Sequence, residues 1–317
     1  MRHSELVKLR SGLEISAFSL GTAAFGGLFK PVENAECGST ISHALKAGIK
    51  LIDTAPHYGK GVAEKRLGQA LHGIDESSYV LSTKVGRLLR PIDYEADESF
   101  LDADTSVTRV FDFSYSGVMQ SFEESLERLN VNSIDILFIH DPDDHEQQAI
   151  AEAFPALAEL RSKGLIKAIG VGMNQSKIPT SFVEQTDIDM VLIAGRYSLL
   201  DQSADHDLLP AAVRRGVDVI AAGVFNSGVL ADPESPDATY NYLPVTPELR
   251  QRAIRIRDLI LQHGYSLTSI AMQFPLRHRA IKSVLVGCRS TAELIENISN
   301  FNQEVEESFW QSLVSEL

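Results

Sequence analysis

The feature that most constrains the fold of this chain is a regular alternation of short apolar segments with amphipathic helical patterns. Eight apolar segments, near residues 19, 51, 81, 137, 169, 192, 219 and 285, are each followed by a helical pattern. Most of these segments are continuously apolar, which is typical of strands covered on both faces. Because the 317 residues contain no break in composition, the alternation predicts one α/β domain over residues 1–317, a closed (β/α)8 TIM barrel.

Several segments lie outside this alternation. The stretch around Gly12 predicts an N-terminal β-hairpin, and the C-terminal part predicts extra helices, the longest over residues 247–263. Residues 86–113 and 223–246 carry no clear pattern, and each segment follows a barrel strand. Since loops longer than about 12–15 residues are usually functional or disordered, we expect both segments to enclose a substrate at the mouth of the barrel.

The net charge, the cysteines and the apolar runs limit which kinds of molecule this protein is expected to bind. A net charge of −14 argues against nucleic acid and anionic membrane surfaces. The two cysteines, Cys37 and Cys288, offer no spacing for a disulfide framework or a metal site. The chain has no run of 18 apolar residues and no apolar leader at its start. These observations predict a cytoplasmic enzyme acting on a small molecule.

Polar side chains follow three successive strands of the predicted barrel. Asp53 and Tyr58 follow the second strand, Lys84 ends the third and His140 ends the fourth. An unpaired ammonium is costly to bury, so we expect Asp53 to pair with Lys84. A cation near Tyr58 would lower the pKa of its phenol, which would make Tyr58 a proton donor and acceptor for a carbonyl or an alcohol.

Each of these residues has a structural alternative. Lys84 could cap a helix or extend along the barrel rim, and an isolated histidine such as His140 is more often structural than catalytic. The run from His140 to His145 also contains three aspartates, which suggests a divalent metal. This run lacks a helical ligand spacing and contains Pro142, so the sequence does not favour a metal site here.

The four residues stand where the aldo-keto reductases carry an Asp-Tyr-Lys-His tetrad. The segments DTAPHYGKGVAEKRLGQAL and STKVG resemble that family's second and third βα units, and the resemblance extends from Gly21 to Ile298. The blocks IDILFIHDPDDHE and IKAIGVGMNQ are similar to the group of L-fucose and D-threo-aldose 1-dehydrogenases, L-galactose dehydrogenase and pyridoxal 4-dehydrogenase. The resemblance implies NAD(P)-dependent oxidation of the anomeric C1 hydroxyl of a cyclic aldose to a lactone, with pyridoxal as the alternative substrate.

The resemblance also implies roles for individual residues. Tyr58 would be the acid/base, Lys84 would lower the Tyr58 pKa, Asp53 would hold Lys84, and His140 would orient the substrate oxygen. The implied cofactor-binding residues are Gly21, Thr22, Asp53, Asn174, Gly223, Phe225, Asn226, Ser227, Gly287, Arg289, Glu293 and Asn297. The predicted substrate-pocket residues are Phe25, His57, Arg87 and Phe111.

This sequence departs from the family's pattern where the nicotinamide is held. Gly172-Met173 stands in place of the usual Ser-Asn, with Asn174 next, and Ala194 replaces the usual Gln. Ala222 to Phe225 replaces the usual Tyr-Ser-Pro-Leu, so an aromatic face for the nicotinamide is not at its expected position. The loop Gly223–Gly228 remains suited to binding a pyrophosphate through backbone amides.

Residues at the predicted adenosine end bear on the choice of cofactor. Gly287 and Glu293 match positions that are cationic in many NADP-using relatives. A carboxylate repels a 2′-phosphate but can accept a hydrogen bond from a free ribose hydroxyl, whereas Arg289 suits a phosphate. The balance favours NAD and leaves NADP open. A nicotinamide-binding regulator without activity and a metal-dependent barrel hydrolase are the alternatives from other classes.

Overall fold

The computed structural model describes residues 1–92, 100–241 and 243–314. Its strands are β1 Leu6–Lys8, β2 Glu14–Ser16, β3 Phe18–Gly21, β4 Leu51–Asp53, β5 Val80–Val85, β6 Arg87–Pro91, β7 Val107–Phe111, β8 Ile136–His140, β9 Ala168–Met173, β10 Met190–Ala194, β11 Asp218–Ala222, β12 Thr239–Tyr240, β13 Leu243–Pro244 and β14 Ile281–Gly287. Its α-helices are α1 Asn34–Lys46, α2 Val62–Leu71, α3 Tyr115–Leu129, α4 Glu146–Gln148, α5 Phe154–Ser162, α6 Lys177–Gln185, α7 Leu208–Arg215, α8 Pro247–Gln262, α9 Leu267–Gln273, α10 Thr291–Phe301 and α11 Glu307–Val314.

Eight parallel strands close into a barrel in the order β3-β4-β5-β8-β9-β10-β11-β14, and β14 pairs with β3. The predicted (β/α)8 barrel is therefore confirmed. The predicted hairpin is also present as β1 and β2, which turn at Gly12. The predicted extra C-terminal helices are α8 and α11. Among the described residues, no helix is long and apolar enough to cross a membrane.

The N-terminal hairpin closes one end of the barrel. Leu9 and Ile15 pack in one buried cluster with interior strand residues that include Leu51, Phe138 and Ile220. A second and larger cluster fills the space between the strands and the surrounding helices. Since the hairpin covers the amino ends of the strands, the carboxyl ends form the open mouth, which is where barrels of this kind carry their sites.

The prediction of irregular structure in both mouth segments is wrong in part. β6 and β7 form an antiparallel ribbon that pairs Arg87 with Phe111, and β12 and β13 form a shorter ribbon in the second segment. The acidic middle of the first segment, residues 93–99, lies outside the described residues. The ribbon was missed because its pairing joins residues far apart in sequence, which local periodicity does not reveal. The helical segment after β8 is also irregular, because a π-helical turn at Ala149–Ala153 lies between α4 and α5.

Residues 100–104 fasten the first mouth segment to the loops that follow β3 and β4. The Leu101 amide donates to the Gly27 carbonyl at 3.0 Å, and the Asp104 amide donates to the Gly59 carbonyl at 3.2 Å. Arg66 also forms an ion pair with Asp102 at 2.7 Å. These contacts bring the segment over the loop that carries Tyr58.

A close approach of two backbones positions that loop. A Cβ atom on Gly26 would lie 2.5 Å from the Gly59 nitrogen and 2.7 Å from the Tyr58 carbonyl carbon. These distances are too short for any side chain, so only glycine permits the loop after β3 to pack directly on the backbone at Tyr58.

Candidate active site

A buried ion pair lies at the centre of the barrel mouth. Lys84 Nζ lies 2.6 Å from Asp53 Oδ2, and each of the two side chains is at most 2% exposed. The same ammonium donates to the Thr54 carbonyl at 2.8 Å, and the Ser82 hydroxyl donates to Asp53 Oδ1 at 2.8 Å. The pairing predicted from the sequence is thus present, and it arises because β4 and β5 are neighbouring strands.

Tyr58 lies directly beside this cation. Lys84 Nζ is 4.8 Å from the centroid of the Tyr58 ring. Burial alone would lower the Lys84 pKa, but the charge of Asp53 and the contact with Tyr58 outweigh it, so the Lys84 pKa lies above its ordinary value. Lys84 therefore stays an ammonium at neutral pH, where it favours negative charge on the neighbouring phenol.

His140 completes the tetrad as a neutral imidazole. Its ring centroid lies 6.1 Å from that of Tyr58, and the residue is 7% exposed. Burial, followed by the charges of Arg87 and Lys84, holds the His140 pKa well below its ordinary value. Its Nδ1 is buried and has no hydrogen-bond partner among the described residues. A neutral ring in this position can hydrogen-bond a ligand oxygen.

Three of the four predicted pocket residues lie near the tetrad. The His57 ring centroid is 5.6 Å from that of His140. Arg87 contacts His57 Nδ1 at 3.1 Å, and Phe111, which is 51% exposed, packs on the Arg87 guanidinium at the rim. The prediction that Phe25 lines the pocket is corrected, because Phe25 is completely buried in the core between strands and helices and lines no open pocket.

Three residues near the tetrad were not predicted from the sequence to belong to the pocket. The Phe100 ring packs against His57 at 5.5 Å and against Tyr58 at 6.1 Å. Arg109 donates to the His57 carbonyl from both Nε and Nη2, at 3.2 and 2.9 Å. Asp141 pairs with Arg87 at 2.6 Å. Phe100 and Arg109 lie in residues 86–113, where the sequence shows no clear pattern and so gave no indication of their position. For Asp141, the only indication in the sequence was that it directly follows His140.

The predicted cofactor residues at the ends of β3 and β11 lie along one side of the mouth. Gly21 pairs with both Asp53 and Gly287 in the barrel, and the Thr22 hydroxyl is already used by the Asp53 carbonyl at 2.9 Å. In the loop after β11, Gly223 is exposed and Phe225 is partly buried. Asn226 and Ser227 both adopt left-handed backbone conformations, with φ of 46° and 59°.

The side chain of Asn226 has spare hydrogen-bonding capacity. Its Nδ2 donates to the Gly195 carbonyl at 3.2 Å, while its buried Oδ1 has no partner in the described part of the chain. A bound polar ligand would satisfy this acceptor. Asn174, at the end of β9, is exposed.

Arg289 and Glu293 bind each other at the predicted adenosine end. Glu293 Oε2 accepts the Arg289 backbone amide at 2.8 Å, and Oε1 accepts the guanidinium at 2.9 and 3.0 Å. The two residues were predicted to act independently and in opposite senses on the choice of cofactor, whereas they form a pair at the start of α10. Nearby, Asn297 Nδ2 donates to Cys288 Sγ at 3.4 Å.

A search of the described residues finds no group of three or more His, Cys, Asp or Glu side chains that could hold a metal ion. The titratable groups at the mouth are instead paired with each other or held neutral by burial. A closed parallel barrel with a buried Lys–Asp pair, a tyrosine and a histidine at the carboxyl ends of its strands has the architecture of a (β/α)8 enzyme.

Comparison with known proteins identifies the family. The family model described as the aldo/keto reductase family matches residues 17–315, so the chain belongs to this family of oxidoreductases. The chain is 40% identical to D-threo-aldose 1-dehydrogenase of a Pseudomonas species, covering 99% of this chain and 97% of that protein. It is 39% identical to pyridoxal 4-dehydrogenase of Microbacterium luteolum, covering 97% and 95%. A solved aldo-keto reductase from Bacillus halodurans, in a holo form, has the same fold with a TM-score of 0.79 at 21% identity, covering 98% of this chain and 95% of that one.

The low pKa of His57 predicts a specific dependence of stability on pH. Burial, with the charges of Arg87 and Arg109, lowers the His57 pKa from 6.5 to about 2. Since the folded-state pKa is below the unfolded-state one, the unfolded chain binds more protons, and stability is lost as pH falls below 6.5 towards 2. We expect His57→Phe to reduce the loss of unfolding free energy between about pH 7.5 and pH 5 by up to about 2 kcal/mol. Denaturant titrations at both pH values measure this difference, and His72→Gln, at an exposed position, should leave it unchanged; an unchanged loss in His57→Phe would contradict the account.

Proposed function

We propose that this protein oxidises the anomeric C1 hydroxyl of a cyclic aldose to a lactone, with NAD or NADP as hydride acceptor. The observation that carries the proposal is the tetrad geometry: Lys84 is paired with Asp53 at 2.6 Å and lies 4.8 Å from the Tyr58 ring. The 40% identity to a D-threo-aldose 1-dehydrogenase over nearly the whole chain supports the sugar class. The donors around the site, from His57, Arg87 and His140, suit a substrate with several hydroxyl groups.

Each member of the tetrad has one step in this scheme. Tyr58, as a phenolate, takes the proton of the C1 hydroxyl. The Lys84 ammonium stabilises the phenolate, and Asp53 holds Lys84 in place and balances its charge. Neutral His140 hydrogen-bonds the reacting oxygen and orients it. The nicotinamide cofactor, when bound, supplies the hydride chemistry.

The cofactor residues predicted from the sequence are part of the proposal. The loop Gly223–Gly228 would bind the pyrophosphate through backbone amides. The buried Oδ1 of Asn226 is an acceptor without a partner among the described residues, so it suits a donor group of the cofactor and not the pyrophosphate oxygens. Near Gly287, the adenosine end would meet an Arg289 whose guanidinium is already bound by Glu293. A 2′-phosphate would have to displace a carboxylate from this guanidinium, so we propose NAD as the preferred cofactor.

The preference for NAD yields a prediction at Glu293. We expect Glu293→Gln to release the Arg289 guanidinium and to shift the ratio of dissociation constants towards NADP by about tenfold, which corresponds to one charge-assisted hydrogen bond. Calorimetric titration of NAD and NADP, together with kcat/KM for each, measures the shift. Glu296→Gln, at an exposed position one turn further along α10, is the matched control. An unchanged ratio in Glu293→Gln would show that the pair does not select the cofactor.

Pyridoxal is the second candidate substrate. The 39% identity to a pyridoxal 4-dehydrogenase covers 97% of the chain and is specific support. Pyridoxal exists partly as a cyclic hemiacetal and so presents a reacting centre like that of a pyranose. The exposed Phe111 ring at the rim offers a flat apolar surface for an aromatic substrate.

A substrate panel tests the proposed function. L-fucose, L-galactose, D-arabinose, pyridoxal and simple aldehydes, each with NAD and with NADP, are followed at the nicotinamide absorbance. We expect turnover of at least one aldose with NAD at a higher kcat/KM than pyridoxal. Preferred turnover of pyridoxal would replace the aldose proposal with the second candidate. No turnover in either direction would favour a regulator without activity, and inhibition by chelators without an absorbance change would favour a metal-dependent hydrolase.

A further inference from the structure

A hydrogen bond from Arg87 determines which nitrogen of His57 carries the proton. Arg87 Nη1 lies 3.1 Å from His57 Nδ1. A guanidinium has only donors, so Nδ1 must be the acceptor. The His57 ring is then neutral and carries its proton on Nε2.

Arg87 is itself held firmly in place. Its Nη2 donates to Asp141 at 2.6 Å, and its guanidinium lies 5.1 Å from the centroid of the Phe111 ring. Arg87 and Phe111 are also cross-strand partners in the ribbon of β6 and β7. The ribbon therefore fixes the direction from which the guanidinium approaches His57.

The backbone and the ring of His57 are held from the other side as well. Arg109, on β7, donates twice to the His57 carbonyl, and the Phe100 ring packs edge-on against the imidazole at 5.5 Å. A side chain fixed by this many neighbours is preorganised to present one group in one direction.

The ring of His57, which carries the remaining donor Nε2, lies close to the rings of Tyr58 and His140. The His57 centroid is 5.6 Å from that of His140 and 6.0 Å from that of Tyr58, and those two lie 6.1 Å apart. Nε2 forms no hydrogen bond to the described part of the chain, and His57 is partly exposed. A ligand whose reacting oxygen contacts Tyr58 and His140 would bring its neighbouring oxygen to the third ring.

We propose that His57 donates a hydrogen bond from Nε2 to the oxygen on the carbon next to the reacting carbon, which in an aldose is the C2 hydroxyl. Arg87 is a positioning residue that imposes the required tautomer. This inference rests on the proposed function and adds to it a requirement that the substrate carry a vicinal oxygen.

Nitrogen NMR tests the part played by Arg87 without any substrate. With ring ¹⁵N-labelled histidine, and with His57→Phe to assign the signal, we expect the wild type to show His57 protonated at Nε2 alone. Arg87→Met should give a mixture of tautomers, and Arg87→Lys, which keeps a donor-only cation, should restore the single form. Protonation at Nδ1 in the wild type, or an unchanged spectrum in Arg87→Met, would overturn the assignment of the tautomer.

A substrate lacking the second oxygen tests the part played by His57. We expect His57→Phe to lower kcat/KM for L-fucose by about tenfold and that for 2-deoxy-L-fucose by less than about twofold, since the lost interaction is one hydrogen bond. His145→Phe, which alters a ring stacked at the rim on Phe111, should affect both sugars equally. If His57→Phe lowers kcat/KM equally for L-fucose and 2-deoxy-L-fucose, His57 has only a packing role and the inference is overturned. If the wild type oxidises L-galactose or D-arabinose and not L-fucose, the same comparison uses that aldose and its 2-deoxy form. If it oxidises no aldose, the proposed function fails and the vicinal-oxygen requirement fails with it, while the NMR result still decides the tautomer.

Discussion

Replacing Tyr58 with phenylalanine is expected to lower kcat for aldose oxidation by about 10³-fold, because the variant has no group to take the C1 proton and general acid–base catalysis contributes about 10²–10⁴-fold. The ring, with its packing against Phe100 and His140, would remain. Dissociation constants for the cofactor should therefore change by less than about twofold, which separates loss of chemistry from loss of binding. Single-turnover kinetics at the nicotinamide absorbance measure the chemical step directly.

Tyr115→Phe is the matched control for this variant. Tyr115 is a surface residue of α3 whose hydroxyl donates to Glu159 on α5. Its kcat should equal that of the wild type. A decrease in kcat of less than about tenfold in Tyr58→Phe would be below the range for general acid–base catalysis. Such a result would assign the proton transfer to another group.

Replacing Lys84 with methionine is expected to have the largest combined effect, on stability and on activity. It would leave the Asp53 carboxylate at 1% exposure without its cation. Breaking a buried pair in this way costs about 3–5 kcal/mol of unfolding free energy. Activity should fall at least as far as in Tyr58→Phe, because the phenolate would lose its neighbouring charge. Chemical denaturation and turnover by the folded fraction measure the two effects separately.

A second substitution separates the structural role of the pair from its chemical role. The double variant Lys84→Met/Asp53→Asn has no unpaired buried charge. We therefore expect it to recover most of the stability lost in Lys84→Met but none of the activity. Lys167→Met is the control, since Lys167 pairs with Asp135 at 2.7 Å but is 64% exposed. The unfolding free energy of Lys167→Met should fall by less than about 1 kcal/mol, as for other exposed ion pairs. Recovery of activity in the double variant would contradict the role given to Lys84.

The barrel and the tetrad were predictable because their signals are local. Continuous apolar runs identify strands covered on both faces, and Asp53, Lys84 and His140 each stand at or near the end of such a run. Parallel neighbours then bring these ends together without any further information. The pairing of Lys84 with Asp53 followed from the cost of burying either charge alone.

The surroundings of the tetrad depend on contacts between distant segments, and the sequence did not reveal them. Phe100 and Arg109 reach His57 only because the first mouth segment folds back as a ribbon and is fastened by Asp102 and Asp104. Phe25 is apolar and next to a glycine-rich loop, which suggested a pocket wall, yet the same loop packs it into the core.

The residues predicted to bind the adenosine show a different reason for an incomplete prediction. Arg289 and Glu293 are four residues apart on either side of a helix start, a spacing at which side chains commonly pair. The pairing was not predicted, although this spacing permits it. The support for NAD therefore comes from an arginine whose charge is balanced by a carboxylate, and not from a free carboxylate.

In the proposed reaction the C1 hydrogen of a cyclic aldose leaves as hydride while Tyr58 takes the hydroxyl proton. The most direct measurement uses the aldose turned over fastest, deuterated at C1, with analysis of both products by mass spectrometry. We expect one deuterium in the reduced nicotinamide and a lactone that has lost the label. A label retained in the sugar product, or a nicotinamide reduced without deuterium, would contradict it.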